Sequence, residues 1–156
     1  MHIILPLFQK MSIPNFQFDI ICYLWYNKLH KGERMLITKE YLELHSDHIF
    51  VFGDNALHKG NAGAAALRDC HNTYGFITKK LPCNQDSCFY TVAEYWPVFR
   101  YETAKLFHTI RKNQNNLYLI SKLGAGLANR FGIFESIIET EIKYDLGGFT
   151  NVKFLW

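Results

Sequence analysis

The sequence predicts an α/β fold with three layers, in which a mostly parallel, mixed sheet carries helices on both faces. Two observations lead to this prediction. From residue 35 onward, short apolar runs typical of buried strands alternate with stretches that have the period and capping residues of helices. Two of the apolar runs pass directly into glycine-rich loops, as strands of parallel sheets often do at their carboxyl ends.

The first half of the pattern contains two strands. Thr38 is a candidate cap for a short helix that reaches His45. Residues 48–52 form a continuous apolar run, which predicts a buried parallel strand. Residues 62–70 are rich in small side chains and predict a helix that packs closely on the sheet, and residues 75–78 predict a second, short strand.

The second half repeats the alternation. Pro97 is well suited to be the first residue of a helix that runs to about Lys112. Residues 117–121 predict the next strand and residues 133–144 the next helix. A Gly-Gly pair at 147–148 breaks this helix, and residues 152–156 predict a terminal strand.

Residues 1–34 differ from the remainder of the chain. They are apolar and aromatic, and they lack the glycine-rich loops. We predict an N-terminal extension over residues 1–34, which is either an accessory element or a segment ahead of a natural start at Met11 or Met35, and a nucleotide-binding domain over residues 35–156. Within the extension, periodicity does not separate a helix from a strand over residues 18–29.

Composition narrows the class of protein. The net charge of +3 suits an anionic ligand, and without a dense run of Lys and Arg it does not point to nucleic acid. The apolar runs are too short for a membrane span, and the N-terminus lacks the basic flank and cleavage site of a signal peptide, so we expect a cytoplasmic protein. The oligomeric state cannot be read from the sequence.

The four cysteines contain no CxxC pair. Their spacing does not match that of zinc ligands, so we expect reduced thiols and no metal site. We also expect no bound cofactor. The GKS/T sequence of a P-loop is absent, the glycines do not follow the GxGxxG spacing of dinucleotide-dependent oxidoreductases, and no acidic residue follows a second strand to hold a ribose.

The two glycine-rich loops are the main functional signal. A strand that ends in such a loop ahead of a helix exposes backbone N–H groups next to a positive helix end, which favours phosphate. Two loops of this kind in one small domain predict a two-sided clamp for a diphosphate. The loop residues that we expect to contact the ligand are Gly53, Gly60, Asn61, Ala62, Gly63 and Ala64 in the first loop, and Gly124, Ala125, Gly126, Leu127 and Ala128 in the second.

The glycines of both loops also have a purely structural interpretation. Gly60 and Gly63 could serve only a tight turn and close helix packing. Gly124 and Gly126 could form a plain turn. We expect Gly126 to have a positive φ or to lie where a side chain would collide with phosphate.

The candidate side chains lie beside the loops. Asp54 and Asn55 follow the first strand, where they could bind ribose hydroxyls or orient a water molecule, or could form only an Asx turn. Lys79 ends the second strand, and Lys122 precedes the second glycine loop. Lys122 is the stronger candidate to neutralise a diphosphate, while a lysine at a strand end is often only a surface residue.

These motifs resemble the macro domain, the ADP-ribose-binding module. The resemblance rests on an apolar strand ending in Asn55, on a Gly/Ala-rich loop before a helix, and on a later strand with a Gly-x-Gly loop. It covers residues 48–67 and 117–134, and it is closest to a small macro-like family of bacteria and phages. The Asn-Ala-Ala-Asn run common in macro domains is here Gly53-Asp54-Asn55, and the acidic residue that contacts adenine has no counterpart that we can place.

The resemblance implies a macro-like fold that binds ADP-ribose or a related NAD-derived nucleotide in a cleft at the strand ends. Asn55 would lie near the distal ribose, and the two loops would hold the phosphates. An enzyme of this type would hydrolyse an ADP-ribosyl linkage, with Asn55 and Asp54 as its catalytic residues. The alternative is a non-catalytic bacterial or phage protein that sequesters a nucleotide or serves an interaction.

Overall fold

The computed structural model describes residues 35–156, and the predictions for residues 1–34 lie outside the described residues. The described chain begins with α1, Lys39–Leu44, followed by β1, His48–Asn55, and β2, Thr73–Lys79. The long helix α2, Val92–Lys112, leads to β3, Leu117–Ile120. A π-helical turn at Phe134–Ile138 continues into α3, Glu139–Leu146, and the chain ends with β4, Val152–Phe154.

The four strands form one sheet in the order β2-β1-β3-β4, and every neighbouring pair is parallel. The prediction of an α/β fold is therefore confirmed. The expectation of a mixed sheet is wrong for the described residues, because each pair of successive strands is joined by a long crossover segment rather than by the tight turn that antiparallel neighbours allow.

Helical segments cover both faces of this sheet, as predicted. One core contains inward-facing residues of α2 and α3 packed on Val51, Phe76 and Tyr118. The other core packs Leu42 of α1 on Phe50 and Phe52. Right-handed crossovers explain why the two cores lie on opposite faces. The step from β1 to β2 runs in one direction along the sheet and the later steps run in the other, so their connecting segments cover different faces.

Two helices of the structure differ from their predictions, one in length and the other in its first residue. Instead of a helix over residues 62–70, the structure has only a short 3-10 turn at Gly63–Leu67, whose residues are largely exposed. Small side chains and two glycines supply little apolar surface to stabilise a longer helix there. The helix predicted to begin at Pro97 begins at Val92, because Thr91 and Glu94 form a capping box one and a half turns earlier.

The cysteines also depart from expectation. Cys83 and Cys88 form a disulfide between Cα atoms 5.8 Å apart, and Cys70 has a free thiol. The expectation of reduced thiols is therefore wrong for Cys83 and Cys88. The spacing of five residues gave no signal for this pairing, because the intervening residues bring the two sulfurs together only through the 3-10 turn Asp86–Cys88.

Candidate functional site

The carboxyl ends of β1 and β3 mark the point where the chain reverses its direction along the sheet. From β1 the chain crosses to β2 on one side, whereas from β3 it crosses to β4 on the other side and the opposite face. Open parallel sheets bind ligands in the crevice that such a reversal leaves between two strand ends. Both glycine-rich loops leave the sheet at this crevice.

The second loop lies against the end of β1. A β-carbon placed on Gly53 would lie 3.6 Å from the amide nitrogen of Gly124 and 3.0 Å from Oγ1 of Thr78. The absence of a side chain at Gly53 therefore allows the second loop to pass directly over the end of β1. The structure thus brings the second loop to Gly53, a residue of β1 that precedes it by about 70 positions in the sequence.

The second loop has several N–H groups without an acceptor. Its internal backbone hydrogen bonds use the N–H groups of Leu123, Ala125 and Asn129. Within the described part of the chain, the N–H groups of Gly124, Gly126, Leu127 and Ala128 have no hydrogen-bond acceptor. Gly124 is a buried residue, and buried N–H groups are nearly always paired, so its amide is a candidate to bind a ligand.

The first loop also presents free amides. In residues 35–156 we find no acceptor for the N–H groups of Gly60, Asn61 and Ala62, which are exposed ahead of the 3-10 turn. Gly63 and Ala64 begin that turn and are exposed as well. Because the turn is so short, any anion here would be bound by loop amides rather than by the field of a helix.

Within the second loop, the conformational role of glycine lies at Gly124 and not at Gly126. Gly124 has φ = +74°, and a β-carbon there would lie 2.6 Å from Cδ1 of Ile138. Gly126 has no positive φ, and a β-carbon there would meet no atom within 4 Å. The expected positive φ at Gly126 is therefore wrong, while the open space beside Gly126 leaves room for a ligand.

Asn55 stabilises the first loop with both ends of its side-chain amide. Nδ2 donates to the carbonyl oxygen of Lys59 over 2.7 Å, and Oδ1 accepts from the N–H groups of Leu57 and Lys59 over 3.2 and 3.4 Å. This is the Asx-type arrangement that the sequence left open as an alternative. The role of Asn55 toward a ribose stays a prediction, since in this structure its amide is occupied by the loop.

Asp54 is the centre of a buried hydrogen-bond network. Its Oδ1 accepts from the Asn55 N–H over 2.8 Å and from Nη2 of Arg68 over 2.5 Å. Its Oδ2 accepts from Nε of Arg68 over 3.1 Å and lies 2.9 Å from Nδ1 of His58. The Asp54 side chain is only 1% exposed, whereas that of His58 is 60% exposed.

This network controls the ionisation of Asp54. Burial raises the pKa of Asp54, but the hydrogen bonds from Arg68, His58 and the Asn55 amide outweigh burial and hold the pKa below its ordinary value. The carboxylate also lies against Gly75 of β2, where a β-carbon would come within 2.8 Å of Oδ2. Asp54 is thus an ionised group with occupied oxygens, and its role as a base stays a prediction.

A second group of charges lies at the end of β2. The Lys79 Nζ is 4.3 Å from the centre of the Phe89 ring, and the Arg130 guanidinium is 5.0 Å from the same centre. Burial lowers the pKa of Lys79, and the positive charge of Arg130 lowers it further. Arg130 pairs with Asp86 over 2.9 Å, but among residues 35–156 no carboxylate pairs with Lys79.

Lys122 lies on the other side of the crevice. Its Nζ is 4.8 Å from the centre of the Phe134 ring, and within the described region it forms no ion pair. Nearby, Asn129 donates to the Glu135 carboxylate and accepts from the Phe134 N–H over 2.9 Å, so it fixes the end of the second loop. The hydrogen bonds from Asn129 lower the pKa of Glu135 and the charge of Lys122 lowers it further, so Lys122 interacts with this carboxylate without forming an ion pair.

The crevice between the ends of β1 and β3 is distinct from two cavities that the described residues form. Two shallow cavities, of about 390 and 480 Å³, lie elsewhere: one adjoins Leu42 and Asn72 beside α1, and the other adjoins Tyr74 and His108 beside α2. Among residues 35–156, no group of three or more His, Cys, Asp or Glu side chains is arranged to hold a metal ion.

Sequence reasoning did not identify the partners of Asp54. Arg68 and Gly75 were not singled out, although an arginine 14 residues after a buried aspartate is a candidate ion pair. The position of His58 in an exposed loop gives no local signal of its contact with Asp54. The pairing of Lys79 with Phe89 and Arg130 depends on long-range packing that no local pattern reports.

No described helix is long and apolar enough to cross a membrane. Comparison with known proteins finds no match among curated proteins and none among solved structures. One family profile matches residues 33–129, which include β1, β2, β3 and both glycine-rich loops. This span is more than half of the chain, and the chain therefore belongs to the family of unknown function DUF7831.

Proposed function

We propose that the protein binds ADP-ribose or a related NAD-derived nucleotide in the crevice between β1 and β3, in a macro-like arrangement of the two loops. The observation that carries the proposal is the meeting of Gly53 and Gly124 at the reversal point of the sheet. A diphosphate needs several donors from two sides, and the crevice has free amides on both loops.

Charge supports an anionic ligand. Lys79 and Lys122 form no ion pair among the described residues, and each lies against an aromatic ring. Bringing a phosphate beside Lys79 would relieve the repulsion between Lys79 and Arg130. The exposed side chains of Leu127 and Phe131 offer apolar surface next to the second loop for a ribose or a base.

The experiment is calorimetric titration of the full chain with ADP-ribose, NAD and AMP. We expect saturable heat with ADP-ribose and weaker binding of AMP, because AMP has one phosphate for two loops. Lys79→Ala should weaken ADP-ribose binding by about tenfold or more, as the loss of a charge-assisted hydrogen bond requires.

The matched control is Lys112→Ala. Lys112 ends α2, a crossover helix that runs antiparallel to the strands, so it lies at the amino edge of the sheet. Its removal should leave affinity unchanged. The proposal fails if no nucleotide gives heat at millimolar concentration, or if both variants weaken binding equally.

The fate of the bound nucleotide distinguishes an enzyme from a sequestering protein. A nucleotide recovered unchanged after denaturation favours sequestration, and an altered product favours hydrolysis. A nucleotide that copurifies with the chain and is identified by mass spectrometry would name the ligand directly.

A further inference from the structure

A histidine and an aspartate form a dyad at the carboxyl end of β1, with Asp54 in the strand and His58 in the loop that follows it. Nδ1 of His58 lies 2.9 Å from Oδ2 of Asp54, whose side chain is 1% exposed. Because Nδ1 is engaged with a carboxylate, the proton of the neutral ring belongs on Nδ1, and the lone pair is left on Nε2. The ring itself is largely exposed, so Nε2 faces solvent or a ligand.

The structure maintains this dyad by several independent features. Arg68 binds both oxygens of Asp54, which keeps the carboxylate ionised and fixed in place. Gly75 leaves the space that the carboxylate occupies. His58 has φ = +52°, and in residues 35–156 it is the one residue other than glycine with a positive φ. Side chains rarely adopt this conformation, and such residues are concentrated at functional sites.

We propose that His58 is a general base that activates water, that Asp54 is its positioning residue, and that the substrate is a ribosyl linkage whose leaving group departs without protonation. This inference rests on the proposed function, because the crevice must first bind the nucleotide. In this assignment His58 takes the proton from the attacking water, and Asp54 acts indirectly by orienting the His58 ring.

The groups around His58 determine which kind of leaving group can depart. Both oxygens of Asp54 are engaged by the Asn55 amide, His58 and Arg68, and Arg68 is directed at Asp54, so neither Asp54 nor Arg68 is placed to protonate a leaving group. A pyridinium leaving group, such as the nicotinamide of NAD, needs no acid. Water attacks the anomeric carbon and gives a proton to Nε2 of His58, while the C–N bond breaks and its electron pair neutralises the ring nitrogen. The products are ADP-ribose and nicotinamide, and His58 returns its proton to solvent.

The main test is release of nicotinamide from NAD by the full chain, measured by chromatography. His58→Asn removes the imidazole and retains a residue type that tolerates positive φ. We expect the rate to fall at least 100-fold, with NAD affinity by calorimetry changed less than threefold. His71→Asn, at an exposed histidine outside the dyad, should keep the wild-type rate.

A spectroscopic measurement tests the positioning by Asp54 without a substrate. Nitrogen-detected NMR of the neutral His58 ring should show the proton on Nδ1, and Asp54→Asn should shift the population toward the Nε2–H form. A wild-type ring protonated on Nε2 would overturn the role of base. Heat of NAD binding without nicotinamide release would overturn the inference alone, whereas the absence of heat with every nucleotide would overturn the proposed function and the inference together.

Discussion

Gly124→Ala should destabilise the fold, whereas Gly126→Ala should not, although the two glycines are two residues apart in one loop. At Gly124 the alanine must adopt φ = +74°, which costs about 1–2 kcal/mol for a residue with a β-carbon. That carbon would also lie 2.6 Å from Cδ1 of Ile138, which is fully buried and can move only by displacing core neighbours. Such overpacking adds about 1–3 kcal/mol.

The expected loss of unfolding free energy at Gly124 is therefore about 2–5 kcal/mol. Gly126 has no positive φ and open space around it, so alanine there should change stability by less than about 1 kcal/mol and can stabilise by restricting the unfolded chain. Urea unfolding of both variants measures the difference. Equal stabilities, or a larger loss at Gly126, would refute the assignment of strain to Gly124.

The open space at Gly126 makes a complementary prediction for binding. A valine at Gly126 should leave the melting temperature of the free protein close to the wild-type value, because nothing lies within 4 Å of its β-carbon. The same side chain would occupy space that the proposed phosphate needs. If Gly126→Val still shows the full rise in melting temperature with ADP-ribose, the second loop does not bind phosphate.

Three further predictions concern stability. Thr91→Ala removes the capping box at the start of α2 and should cost about 1 kcal/mol, seen as a lower urea midpoint; an unchanged midpoint would contradict the cap. Gly75→Ala should cost about 1–3 kcal/mol because it displaces the Asp54 carboxylate, and crystallography of the variant would show whether Asp54 has moved. Ionised Asp54 should stabilise the fold above its unfolded pKa of about 4, and this stabilisation should be lost as pH falls through its lower folded pKa. The urea midpoints of wild type and Asp54→Asn should therefore differ at pH 6 and converge toward pH 2. A difference that stays constant with pH would contradict this.

The sequence predicts the four strands and a mostly parallel sheet because the apolar runs and the crossover lengths are local features, but it does not predict that every described pair of strands is parallel. It also locates both glycine-rich loops at the correct edge of the sheet. It does not predict the start of α2, because Pro97 is a stronger visible signal than the capping box at Thr91 and Glu94, although the latter determines the first turn. Nor does it predict the short 3-10 turn, since the size of a helix depends on the packing surface available to it.

The sequence predicts less of the candidate site than of the fold. The burial of Asp54 brings Arg68 and His58 onto its two oxygens, and this pairing depends on the space left by Gly75 on the neighbouring strand. The same limit applies to Gly124, whose positive φ and close approach to Ile138 are visible only in the folded chain. Patterns along the chain identify which residues can bind an anion, but the assignment of strain and charge requires the contacts between strands.

The proposed nucleotide site lies between the ends of β1 and β3. The most direct measurement is a titration of the isotope-labelled full chain with ADP-ribose, followed by amide chemical shifts. We expect saturable shifts that are largest at the N–H groups of Gly124, Gly126, Leu127 and Ala128, with smaller shifts at residues 60–62. Shifts that cluster instead around Asn72 and α1, or no saturable shifts at millimolar ADP-ribose, would contradict it.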